Sequence, residues 1–131
     1  MRKNVFQLEK KIVFVVDDVE TTLVMAKNAL KKDFRVITLG SAGKLFAFLE
    51  KIKPNLILLD IEMPEMNGFQ ALKKIKGNRR NKNIPVIFLT SGGTIANIAK
   101  AASFGACDFV VKPFEPEVLH EKVEKYIHRE G

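Results

Sequence analysis

The sequence predicts an α/β fold, a doubly wound sheet of five parallel strands with five helices on its two faces. Three observations carry that expectation. Five short apolar runs alternate with five stretches in which apolar residues recur at helical spacing. The runs are continuous rather than alternating, the pattern of strands buried on both faces. Right-handed crossovers between successive strands then wind the chain over both sides of the sheet. At 131 residues, 47% of them hydrophobic, the chain suffices for one domain with a real core and is too short for two of ordinary size.

Lys11 to Asp17 reads as the first strand, and a helix follows from about Glu20 to Lys32, with Leu23, Ala26 and Leu30 on one side. Phe34 to Leu39 is strand-like again. Ser41 can cap the second helix, whose Leu45, Phe46 and Leu49 share a face. Pro54 and Asn55 punctuate the chain before Leu56 to Leu59, a short, wholly apolar strand. After a loop from Pro64 to Gly68, Phe69, Leu72 and Ile75 mark a third helix that Gly77 ends. Pro85 opens the fourth strand, Val86 to Leu89. Gly92 and Gly93 loosen the chain ahead of a short helix from about Thr94 to Phe104, which Gly105 stops. Phe109 to Val111 is the fifth strand. Pro116 suits the first turn of a last helix running to about His128, with Leu119, Val123, Tyr126 and Ile127 inward. Residues 1–10 read as an N-terminal extension and 11–129 as a single domain, without internal repeats.

Composition narrows the function classes. No run approaches the roughly eighteen apolar residues of a membrane helix. The basic N-terminus lacks the apolar stretch of a secretory signal, so a cytoplasmic protein without membrane contact is expected. Cys107 is the only cysteine, which excludes an internal disulfide and points to a buried structural thiol. His120 and His128, eight apart on the last helix, have no carboxylate arrangement that suggests a metal site or a phosphohistidine and read as surface histidines. The formal charge is +7, and Lys73, Lys74, Lys76, Arg79, Arg80 and Lys82 form a basic stretch without an acid. With no aromatic residue among them, a stacking platform for single-stranded nucleic acid is not indicated. A solvated helix end and loop is the simpler reading.

The chemistry is read from polar residues that close the apolar runs. Asp17 and Asp18 follow the first strand, Asp60 the third, Thr90 the fourth and Lys112 the fifth. A parallel sheet gathers all five at its carboxyl edge, where ligands of such sheets bind. Three crowded carboxylates repel, so the site either protonates one of them or recruits a cation. Hard oxygen ligands favour Mg²⁺, which uses one or two carboxylates directly and keeps positions for phosphoryl oxygens. Asp60 could then act as a nucleophile toward phosphorus, with Lys112 as a point charge and Thr90 as a hydroxyl donor for the remaining oxygens.

These residues carry a resemblance. From about Lys11 to Ile127 the chain resembles the receiver domain of the two-component response-regulator family, through VFVVDD, LLDIEMPEMNG around Asp60, VIFLTS ending in Thr90, and GACDFVVKPF around Lys112. Asp60 to Thr90 spans thirty positions and Asp60 to Lys112 fifty-two, in agreement with the family pattern. The resemblance implies a flavodoxin-like strand order 2-1-3-4-5. It implies Asp60 as phosphoacceptor, Asp18 as direct Mg²⁺ ligand, Asp17 as an acid acting mainly through water, and the Glu62 backbone carbonyl as a further ligand. It implies Thr90 and Phe109 as the switch, a cis Lys112–Pro113 bond, and an output surface on the fourth helix, fifth strand and fifth helix. A histidine kinase or phosphotransfer protein is the implied donor, and a downstream protein target or a second copy the implied reader. Nucleic acid is not expected as a partner of this domain alone. Such a domain is no enzyme toward a separate substrate and catalyses only its own phosphorylation and dephosphorylation. As the chain ends soon after the fifth helix, it is expected to lack an output domain, as a stand-alone regulator or the N-terminal piece of a longer protein.

Phe109 stands where tyrosine is frequent in that family, and Glu62 and Gly92 occupy the positions that tune phosphoryl lifetime. The fourth helix, with Ile95, Ala96, Ile98, Ala99, Ala101, Ala102 and Phe104, has few polar breaks, which suits a dimer or partner face as well as a plain surface helix. A phosphatase of the haloacid dehalogenase type is disfavoured because Glu62 replaces the second aspartate it needs. A phosphate-independent binding module is disfavoured because Asp60, Thr90 and Lys112 are all present.

Overall fold

The computed structural model describes residues 9–92 and 95–128, with Ile95 described by its backbone alone. The expected extension lies largely outside the described residues, as do Gly93, Thr94 and residue 129. Five strands, β1 Ile12–Val16, β2 Arg35–Leu39, β3 Leu56–Asp60, β4 Val86–Thr90 and β5 Asp108–Val111, alternate with five helices, α1 Glu20–Leu30, α2 Ala42–Leu49, α3 Gly68–Lys76, α4 Ile95–Ser103 and α5 Pro116–Ile127. The sheet is parallel throughout, in the order β2-β1-β3-β4-β5, the predicted doubly wound topology.

Side chains of each strand point alternately to the two faces, so one continuous apolar run feeds two cores. Phe14, Val16, Ile57, Leu59, Val86 and Phe88 pack against α2, α3 and α4 through Leu45, Leu49, Phe69, Leu72, Ile75 and Ala101. Val13, Val15, Leu56, Leu58, Ile87, Leu89 and Val110 pack against α1 and α5 through Leu23, Ala26, Leu30, Leu119 and Val123. Burying a Leu, Ile, Val or Phe side chain contributes about 1.5–3 kcal/mol, so these two layers supply most of the driving force for folding.

Local signals fix the helix ends. The Ser41 hydroxyl accepts from the Lys44 N–H at 3.1 Å, capping α2 as expected. Asn67 and Gln70 form a reciprocal capping box on α3, with both bonds at 2.9 Å. Pro116 opens α5 from its first turn. Val19 precedes α1 without a side-chain cap of its own; the carboxylate of Asp17 instead accepts from the Val19 N–H at 2.9 Å. Cys107 departs from expectation. It is half-buried at the margin of the α1/α5 layer, because it lies just before the edge strand β5, which has a neighbour on one side only. Among the described residues no helix is long and apolar enough to cross a membrane.

Candidate functional site

β1 and β3 are adjacent and parallel, with Val16 paired to Leu59, so Asp17 and Asp60 emerge side by side one residue further on. The two carboxylates are buried, Asp17 at 0% and Asp60 at 1% exposure, while Asp18 faces solvent. Oxygens of Asp17, Asp18 and Asp60 lie within 4.8 Å of one another. From β5, across β4, Lys112 reaches into the cluster, its Nζ 2.9 Å from Asp17 Oδ2 and 3.1 Å from Asp60 Oδ1. The Lys112 N–H donates to the Thr90 carbonyl at 2.7 Å, and the Lys112–Pro113 peptide is cis, as expected.

The electrostatics follow from this crowding. Burial, then the neighbouring Asp17 charge, push the Asp60 carboxyl up to about 6, against the opposing pull of Lys112 and of the Glu62 N–H. Burial pulls the Lys112 ammonium down, but its hydrogen bonds to Asp17 and Asp60 outweigh that and hold its pKa above the ordinary lysine value. Three ionised carboxylates against one ammonium leave two negative charges in the cluster. A hard divalent cation such as Mg²⁺ fits that donor set in charge and in chemistry.

The other expected residues are placed around the cluster. Thr90 ends β4, is buried, and exchanges two hydrogen bonds with Gly92: its Oγ1 accepts from the Gly92 N–H at 3.1 Å and donates to the Gly92 carbonyl at 3.2 Å. Glu62 donates its N–H to Asp60 Oδ1 at 3.3 Å, and its carboxylate accepts from the Ser91 hydroxyl at 3.4 Å. Phe109, paired in register with Phe88, is half-buried against the α2–α4 layer. Its ring lies 5.2 Å from Lys122 Nζ. On α4, Ala96, Ala99 and Ala102 are exposed beside Lys100 and Ser103, and Ala101 is buried, so alanine makes up much of its outer face.

Three features escaped the sequence reading. Gly68 donates its N–H to the Ile61 carbonyl at 2.8 Å, and a Cβ on it would collide with the backbone of Asp60 and stand 2.8 Å from Ile61 Cα. The loop after Asp60 therefore closes only over a glycine. Asp108 binds Lys122 at 2.8 Å and the Tyr126 hydroxyl at 2.9 Å, tying β5 to α5. Burial raises the Asp108 carboxyl, but these bonds and that of the Phe109 N–H outweigh it and hold its pKa below the usual range. Finally, His120 and His128 are accessible at the surface as expected, but each has a carboxylate neighbour that the sequence reading did not place. His120 Nε2 is 2.7 Å from Asp33 Oδ2 and His128 Nε2 is 3.0 Å from Glu124 Oε1. Asp33 lies 87 residues from His120 in sequence, so spacing on α5 alone could not reveal it.

Comparisons with known proteins point to one family. A family model described as response regulator receiver domain matches residues 13–124. Chemotaxis protein CheY1 of Helicobacter pylori is 36% identical over 116 residues, covering 86% of this chain and 93% of that protein. The probable transcriptional regulator ycf27 of Cyanophora paradoxa is 28% identical over 92% of this chain, and there the chain spans 49% of the relative's length. The solved structure of Vibrio cholerae chemotaxis protein CheY4 superposes with a TM-score of 0.85 at 26% identity, covering 89% of this chain and 98% of that one.

Proposed function

The chain belongs to the response regulator receiver domain family, and we propose that within a two-component pathway it takes a phosphoryl group onto Asp60 and passes that state on as a changed surface. One observation carries the reading: Lys112 Nζ spans the buried carboxylates of Asp17 and Asp60 in a cluster whose residual charge suits one divalent cation. Asp17, Asp18, Asp60 and the backbone carbonyl of Glu62 would hold Mg²⁺. Held by those oxygens, Mg²⁺ would supply charge neutralisation of the carboxylates and electrostatic attraction for phosphoryl oxygens.

The chain's own residues do the rest. Asp60 supplies an oxygen lone pair to phosphorus. The P–N bond of a phosphohistidine on a kinase or phosphotransfer protein breaks, and its electron pair returns to the donor imidazole. Lys112 is already hydrogen-bonded to the accepting carboxylate and holds positive charge where the transferring oxygens gather. Burial of Asp17 and Asp60 keeps water from competing with those contacts. Thr90 is the coupling residue. Its hydroxyl is held by Gly92, and a phosphoryl group on Asp60 competes for it, drawing the loop after β4 inward and letting Phe109 follow. The surface of α4, β5 and α5 then changes for a downstream protein or a second copy. The setting is cytoplasmic, the domain turns over no separate substrate, and residues 11–129 form the functional unit, preceded by the 1–10 extension.

Binding of beryllofluoride with Mg²⁺, followed by ¹⁹F NMR on wild type and Asp60→Asn, tests this. Bound fluorine resonances in wild type alone support the reading; their absence from wild type, or persistence in the variant, overturns it.

A further inference from the structure

On the sheet face opposite α2, α3 and α4, a groove of about 540 Å³ runs between α1 and α5, lined by Asn28, Glu117, His120, Glu121 and Glu124 among others, with no lysine or arginine. That is unusual on a chain of formal charge +7. Two of its lining residues, His120 and Glu124, have ligating atoms within 4.8 Å of each other and of one on Asp33, and His128 Nε2 lies 3.0 Å from Glu124 Oε1. His120 on α5 and His128 at its C-cap thus stand four residues to either side of Glu124. His120 is seated by its tilted contact with the Phe34 ring, centroids 5.8 Å apart, which leaves Nε2 directed at Asp33.

We propose that Asp33, His120 and Glu124 form a second divalent-metal site, for a borderline ion of the Zn²⁺ type, distinct from the aspartate cluster at the sheet edge. An imidazole nitrogen with two carboxylates is a donor set such ions accept readily, whereas Mg²⁺ favours oxygen alone. The three atoms are close enough that small rotations of solvent-accessible side chains bring each to the roughly 2.0–2.2 Å of a Zn–N or Zn–O bond. Water completes the shell from the open groove. His128 is a positioning residue: it orients the Glu124 carboxylate as outer partners of metal ligands do. The ion links the turn after α1 to α5. It therefore stiffens one wall of the surface proposed to read phosphorylation, without entering the phosphoryl pocket.

The test uses the whole chain in excess Mg²⁺, titrated with Zn²⁺ by calorimetry and with Co²⁺ by visible absorption. One equivalent is expected to bind, with affinity at least tenfold weaker in His120→Ala and in Glu124→Gln, and unchanged in Asp60→Asn. Proton NMR of the wild type needs no variant: Zn²⁺ should shift the His120 imidazole resonances first. Equal affinity in His120→Ala, loss of binding in Asp60→Asn, or imidazole signals that do not respond would overturn the proposal.

Discussion

Lys112 Nζ stands 2.9 Å from Asp17 Oδ2 and 3.1 Å from Asp60 Oδ1, so one ammonium joins two buried carboxylates from neighbouring strands. A buried ion pair is weak evidence for stability, but removing one partner strands the other charges. Here that means two aspartates facing each other with no cation between them.

Lys112→Ala is therefore expected to destabilise the metal-free protein by about 3 kcal/mol, the usual cost of breaking a buried pair. Added Mg²⁺ should restore much of that loss, since it replaces the missing positive charge. Urea unfolding in EDTA and in Mg²⁺ measures both. Metal affinity should not fall in the variant, because the ammonium and the cation compete for the same oxygens.

Asp60→Asn should do the opposite. The folded-state pKa of Asp60 is raised from the usual 3.8 to about 6, so between those values the native state binds more protons than the unfolded state. Stability then falls as pH rises through that window, and the full penalty applies above it. Asparagine escapes the penalty, so the metal-free variant should gain on the order of 1–3 kcal/mol at pH 7, because each tenfold change in acidity corresponds to about 1.36 kcal/mol. The gain should vanish near pH 4. Thermal unfolding against pH, in EDTA, checks the sign.

Gly68→Ala should lose stability by about 1–3 kcal/mol, the range for forced overpacking. The collision falls on the backbone of Asp60 and Ile61 rather than on a flexible side chain, so the loop cannot relax cheaply. Since Asp60 moves with that backbone, phosphoryl uptake from acetyl phosphate should slow as well. Unfolding and uptake rates measured on one preparation report both effects.

Thr90→Ala removes the hydroxyl that exchanges hydrogen bonds with Gly92 but leaves Asp60, Asp17 and Lys112 in place. Phosphoryl uptake should persist, whereas the shift of the Phe109 ring resonances on adding beryllofluoride should shrink severalfold. Two-dimensional NMR of wild type and variant reads that difference.

Much of this was legible in the sequence, for identifiable reasons. Leu56 to Leu59 and Val86 to Leu89 are apolar on both faces, which only a strand with helices on either side accommodates, and Asp60 and Thr90 close them at the carboxyl edge, where their buried polar atoms find partners. Lys112 could be placed near Asp60 because parallel strands bring all their carboxyl ends to one edge. The contacts that depend on side-chain reach were not legible. Nothing local announces that Asp33 meets His120, that Asp108 gathers Lys122 and Tyr126, or that Gly68 lies against the backbone of Asp60. Nor does the half-exposed setting of Cys107 follow from its apolar neighbours, since it depends on β5 being an edge strand.

The proposed function turns on Asp60 as the residue that carries phosphate. Its most direct test is incubation with acetyl phosphate and Mg²⁺, reduction of any acyl phosphate with borohydride, and peptide mapping by mass spectrometry. Borohydride converts an aspartyl phosphate to homoserine and so marks the acceptor permanently. A single Mg²⁺-dependent homoserine at position 60 is the predicted result; homoserine at position 17 or 18 instead, or no conversion at all, would contradict it.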